Sequence, residues 1–265
     1  MKIVRSILAG AAVVAVSLGM SACGGNGKAE SEPASSTTEL TVFAAKSLTK
    51  AFTQIDEEIF RQEHPDISIK FSFDGSNTLV KQIAEGAPVD VLATADQKNM
   101  DNAVEQDLVE DVQPFASNVL TLIVPSGNPA NITGLDESLD GTKLVVCAEG
   151  VPCGNATRTL AENLGVALSP VSEEKNVGDV RSKVEKGEAD AGLVYVTDAR
   201  SSGDKVEIIE VLGAEDVVNA YPIALVKGTK NSDAAKAFIA TVLSPEGQKI
   251  LADYGFKGAE LADKG

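Results

Sequence analysis

The sequence predicts an α/β protein of two lobes, each a central mixed β-sheet flanked by helices, joined by two hinge crossovers. Two observations carry this. Apolar residues switch repeatedly from a period of two to a period of three or four, with Gly, Pro, Asp and Ser between the segments. Two apolar runs, Val119–Val124 and Tyr221–Val226, read as the segments that cross between lobes. On that division residues 40–118 with 222–265 make the first lobe, and 119–221 the second.

Leu40, Val42 and Ala44 alternate with Thr41, Phe43 and Ala45 as a short buried strand. Leu48, Ala51, Phe52, Ile55 and Ile59 then recur at helical spacing, which starts a helix near Ser47. His64-Pro65-Asp66 ends it. Ile67, Ile69, Phe71 and Phe73 form a strand with one buried face, and Asp74-Gly75-Ser76-Asn77 turns into a short helix that stops at Gly86. A third strand follows over 87–93, with Asp96 as cap of the next helix. Ser47 and Ser76 thus both stand between a strand end and a helix start. Unpaired helix N–H groups and the positive end of the dipole make such a turn an anion site.

Further on, Val119–Val124 is a buried strand closed by Pro125-Ser126-Gly127. Leu144–Cys147 leads through a turn to a helix containing Leu160 and Leu164. Val177-Gly178-Asp179 precedes a helix with Val180 and Val184, and Ala191–Tyr195 is a strand that delivers a tyrosine at its carboxyl end. Val206–Val211 and Asn219–Val226 are strands, and Ser244-Pro245 starts the last helix. In α/β sheets ligands collect at the carboxyl ends of strands, where both serines and the tyrosine fall.

The N-terminus reads as an export signal. Lys2 and Arg5 precede an apolar run from Ile7 to Leu18, then Met20-Ser21-Ala22-Cys23. The small pair before Cys23 resembles a lipobox, making 1–22 a lipoprotein signal and Cys23 the lipidated residue. Residues 23–39 have no apolar face and read as a flexible tether.

Net charge is −16, and loss of Lys2 and Arg5 makes it more negative still, which argues against nucleic acid as a partner. Cys147 and Cys153 lie six apart in an oxidising compartment, where a disulfide is the default. The rival reading of the two thiols, a zinc site, is weak, because the single histidine, His64, stands apart at the end of the first helix.

With these residues in view, the stretch from about Leu40 to Gly258 resembles the molybdate-binding proteins of ABC importers, within the two-lobed solute-binding proteins. The motifs are Val42-Phe43-Ala44-Ala45-Lys46-Ser47-Leu48, Gly75-Ser76, Glu85-Gly86-Ala87-Pro88-Val89-Asp90, and Ala95-Asp96-Gln97. Val151-Pro152-Cys153-Gly154, Asp179-Val180-Arg181, Gly192-Leu193-Val194-Tyr195 and Tyr254-Gly255-Phe256 follow in order. The resemblance implies an oxyanion held by the hydroxyls of Ser47, Ser76 and Tyr195 and the amides of Cys153 and Val180. It also implies a monomer, lipid-anchored at Cys23 to the outer face of the cytoplasmic membrane, that uses no cofactor. Such a protein binds molybdate or tungstate and delivers it to a membrane permease.

Two rivals stand against this reading. Ser47-Leu48-Thr49-Lys50 matches the S-x-x-K element of serine acylases, but later S-D-N and K-T-G elements are lacking. A binding protein for sulfate, phosphate or an organic anion would share the fold. Phosphate is partly protonated at neutral pH and asks for an acceptor carboxylate, and none is among the five contacts.

Overall fold

The computed structural model describes residues 37–259. The signal at 1–22, the lipidation site Cys23 and most of the tether at 23–39 lie outside the described residues, as do 260–265.

The first sheet has the order β2-β1-β3-β10-β4, from β1 (Thr38–Ala45), β2 (Ile67–Asp74), β3 (Val91–Ala93), β4 (Val109–Asn118) and β10 (Asn219–Val226). The first three strands are parallel, with Val42 beside Phe71 and Val91, and β10 runs antiparallel to both β3 and β4. The second sheet has the order β7-β6-β8-β5-β9, from β5 (Leu120–Pro125), β6 (Leu144–Cys147), β7 (Ser172–Glu174), β8 (Ala191–Tyr195) and β9 (Val206–Ile209). It repeats the plan: three parallel strands, then β5 antiparallel to β8 and to β9. The α/β class and the two mixed sheets agree with the sequence reading.

One expectation needs correction. Val119–Val124 and Tyr221–Val226 do not themselves cross. β5 pairs wholly in the second sheet and β10, Tyr221 included, wholly in the first. The crossings are the single residue between β4 and β5 and the stretch 210–218 between β9 and β10. A strand needs neighbours for its backbone groups along its whole length, so the hinges fall between strands.

Nine α-helices are described, numbered α1 to α9. In the first lobe are α1 (Thr49–Ile55), α2 (Arg61–Glu63), α3 (Ser76–Ala84), α4 (Gln97–Glu105), α8 (Ser232–Leu243) and α9 (Pro245–Asp253). In the second are α5 (Pro152–Leu164), α6 (Val177–Glu185) and α7 (Val196–Ser201). The chain leaves β1 through a 3-10 turn, Lys46–Leu48, before α1 begins.

Phe52 of α1 is fully buried, its ring 5.7 Å from Phe115 and 5.6 Å from Phe238, which ties β1's helix to β4 and α8. Truncating such a side chain to Ala typically costs about 3–5 kcal/mol, so the base beneath the Ser47 turn is firm. In β10 the register slips between Tyr221 and Pro222. Pro222 has no N–H to give the ladder, and a bulge accommodates it inside the sheet.

Candidate functional site

A cavity lies between the lobes where the carboxyl ends of β1 and β2 face the N-termini of α5 and α6 and the end of β8. The first lobe supplies Lys46, Ser47, Asp74, Ser76 and Ala95 to its wall, and the second Pro152, Cys153, Asn176, Val177 and Tyr195. It is small, about 10 Å³, which suits a few-atom ion better than an organic solute.

Ser76 is the first residue of α3 and is fully buried; its Oγ accepts the Ala95 N–H at 3.0 Å. That leaves the Ser76 proton free to donate into the cavity. Ser47 sits in the 3-10 turn, and its Oγ lies 3.0 Å from the Oη of Tyr221. It caps no helix. Tyr221 itself is fully buried and is not among the site residues expected from sequence, because a tyrosine in an apolar strand reads as core.

From the second lobe, Pro152 takes the first position of α5 and Cys153 the second. Proline has no N–H, so the Cys153 amide is the first donor the helix presents. Cys153 is joined to Cys147 by a disulfide with Cα atoms 5.6 Å apart, which fastens this helix start to the end of β6. The Oη of Tyr195 is buried and has no hydrogen-bond partner among the described residues. Burial raises its pKa well above the ordinary tyrosine value, with Tyr221 and Asp96 adding to the effect, so it stays a neutral donor. A buried hydroxyl without a partner on a cavity wall marks where a ligand oxygen belongs.

Val180 does not fit the site. Helix α6 begins at Val177, one turn earlier than expected, with Asn176 as N-cap accepting the Asp179 N–H at 3.0 Å. At the fourth helical position the Val180 amide is taken by the i→i−4 ladder, and its side chain packs on Gly192 in the core. Val177, at the first position, lines the cavity, and its N–H has no partner within the helix. The signal for this was Asn176-Val177-Gly178-Asp179, an Asn followed three residues on by an acid.

The lobes meet along the cleft. Asn176 Nδ2 donates to Asp74 Oδ1 at 3.1 Å, Asn155 Nδ2 to Asp96 Oδ2 at 3.1 Å, and Asn99 Nδ2 to the Gly150 carbonyl at 3.2 Å. Gly75 comes so near Lys175 that a Cβ would stand 2.3 Å from its carbonyl oxygen, and the Lys46 stem lies over Gly178, 3.0 Å from where a Cβ would be. This is a closed arrangement.

The serine-acylase rival finds no support in the geometry. Lys50 Nζ donates to the Ser201 carbonyl at 2.8 Å, while Ser47 is engaged by Tyr221. His64 lies beyond α2, its ring tilted against Phe60. Among the described residues no group of three or more His, Cys, Asp or Glu could hold a metal ion.

The profile of the bacterial extracellular solute-binding proteins matches residues 40–257. The chain belongs to this family. This solute-binding protein is 42% identical over 242 residues to the molybdate-binding protein ModA of Mycobacterium tuberculosis H37Rv, covering 90% of this chain and 92% of that one. Its fold resembles the Azotobacter vinelandii periplasmic molybdate-binding protein, with a TM-score of 0.71 at 19% identity, over 82% of this chain and 98% of that chain. It also resembles the sulfate-binding protein SubI of M. tuberculosis H37Rv, with a TM-score of 0.65 at 19% identity, over 85% of this chain and 90% of that chain. The fold is therefore shared across anions, and the choice among them rests with the site.

Proposed function

We propose that this protein binds molybdate, and tungstate as its near equal in size, outside the cytoplasmic membrane and passes it to the permease of an ABC importer. In this reading it is a monomeric carrier, not an enzyme, held to the membrane by lipid on Cys23. The observation that carries it is the convergence of uncharged donors from both lobes on one small cavity, with the unpartnered Tyr195 hydroxyl among them. The hydroxyls of Ser47, Ser76 and Tyr195 and the amides of Cys153 and Val177 would each donate to a ligand oxygen. A fully deprotonated tetrahedral dianion only accepts, so a donor set matches it. Against a net charge of −16, such a site works through local dipoles. The similarity to molybdate-binding relatives favours molybdate over sulfate.

One observation favours a second reading. Asp74 lines the cavity, and a carboxylate there would suit a partly protonated anion such as phosphate. Its Oδ1, however, already accepts from the Gly75 N–H and from Asn176.

Thermal melts with molybdate, tungstate, sulfate and phosphate at equal concentration decide between these. A ligand at about a thousand times its Kd stabilises the folded state by about 4 kcal/mol. Large, similar shifts are expected for molybdate and tungstate, little for sulfate and none for phosphate. A dominant phosphate or sulfate shift would replace the ligand, and no shift with any of the four would remove the reading.

A further inference from the structure

We propose that Tyr221 is a positioning residue for the site: its hydroxyl donates to Ser47 Oγ and thereby commits the Ser47 proton to the bound anion. This rests on the cavity being an oxyanion site.

Ser47 has one proton and two groups that could accept it, the ligand and Tyr221 Oη at 3.0 Å. If Ser47 donated to Tyr221, it would turn lone pairs toward an anion and repel it. Tyr221 ends that competition only by acting as donor, which needs a neutral hydroxyl and a fixed ring. Both conditions are met. The residue is fully buried, and burial pushes its hydroxyl pKa far up. The ring is held by T-shaped contacts to Phe256 at 5.3 Å, Tyr195 at 5.9 Å and Phe115 at 6.3 Å, so its direction is set by the core before any ligand arrives.

Ser76 shows the same device with a different donor. Its Oγ accepts from the Ala95 N–H, a group that can do nothing but donate. In both serines the accepting role is filled from the first lobe, and each proton is left to the cavity. Hydrogen bonds in such a chain strengthen one another, so Tyr221 also sharpens Ser47 as a donor. The arrangement opposes anions that carry a proton, since these would need an acceptor where Ser47 now donates.

The test is a double-mutant cycle on molybdate affinity, using wild type, Tyr221→Phe, Ser47→Ala and the double variant. Tyr221→Phe keeps the ring and its contacts and removes only the hydroxyl. It is expected to weaken binding about tenfold in the wild-type background. In the Ser47→Ala background it should change the Kd less than about twofold, because no serine proton remains to direct. A packing role would weaken binding equally in both backgrounds and would overturn the proposal. So would a Tyr221→Phe protein that binds as wild type does while Ser47→Ala does not. Wild type that binds no oxyanion would instead remove the site reading itself, and this inference with it.

Discussion

Asn155, on the lobe that carries Tyr195, donates across the cleft to the Asp96 carboxylate of the lobe that carries Ser47. Its Oδ1 meanwhile accepts the Gly150 N–H within its own turn at 3.1 Å. Asn155→Asp keeps that acceptor and replaces the donor with a charge facing Asp96, so only the closed form suffers. Oxyanion affinity should fall at least tenfold, with a larger radius of gyration in saturating ligand by small-angle scattering. An unchanged affinity would show that this bond does not help hold the cleft shut.

Helix α6 offers a test that separates the two valines. Proline is tolerated at a first helical position and removes an N–H, and Asn176 before it is extended, as a residue preceding proline prefers. Val177→Pro should therefore keep the fold and weaken molybdate binding about tenfold, the worth of one donor to a charged ligand. If binding by calorimetry is unaffected, the Val177 amide is not a contact.

The disulfide closes a loop of six intervening steps, worth about 2 kcal/mol by loop entropy. Its position matters more, because Cys153 stands on the cavity wall and Cys147 ends the strand behind it. Reduction should lower the melting temperature modestly and weaken anion binding more than stability alone explains, checked by titrating the reduced, alkylated protein. Equal affinity in both redox states would leave the bond a purely structural staple.

Asp198 gives a pH dependence of definite sign. It follows Tyr195 at the start of α7, is 4% exposed, and has Arg181 Nη1 3.7 Å from one oxygen while the other has no partner. Burial pushes its pKa up to about 7 although Arg181, Lys50 and Lys46 pull the other way. The folded protein therefore holds a proton between about pH 4 and 7 that the unfolded chain has released, so stability falls as pH rises through that window and levels off above it. Its charge acts on the Tyr195 hydroxyl, so an anion there should raise its pKa further and bind with uptake of protons. Molybdate affinity should decline as pH rises through 7, and Asp198→Asn should flatten that profile. A flat wild-type profile between pH 6 and 8.5 would rule this out.

The fold was legible where the chemistry was local. Leu40–Ala45, Ala191–Tyr195 and the serines at strand ends announced themselves through period and turn residues. β4 was not legible, because Val109–Asn118 is a charged edge strand with Pro114 in its middle, and edges are polar for reasons of their own. β7 is three polar residues whose strand state depends on β6. α8, rich in Ala, carries no start signal as clear as the Ser-Pro of α9. In the site, hydroxyls could be read from position. An amide contact needs the helix start to the residue, and an error of one turn moved the donor from Val177 to Val180. Tyr221 depended on strand register across 174 residues of separation from Ser47, which no local pattern encodes.

The ring contact between Tyr195 and Tyr221 has an optical side. The chain has three tyrosines and no tryptophan. Two of the three face each other from opposite lobes, 5.9 Å apart, and the third, Tyr254, ends α9. Tyrosine emission, elsewhere drowned by indole, here dominates the fluorescence. Opening the cleft separates that pair and wets both hydroxyls, so the protein carries a native fluorophore whose brightness tracks its own hinge without any label.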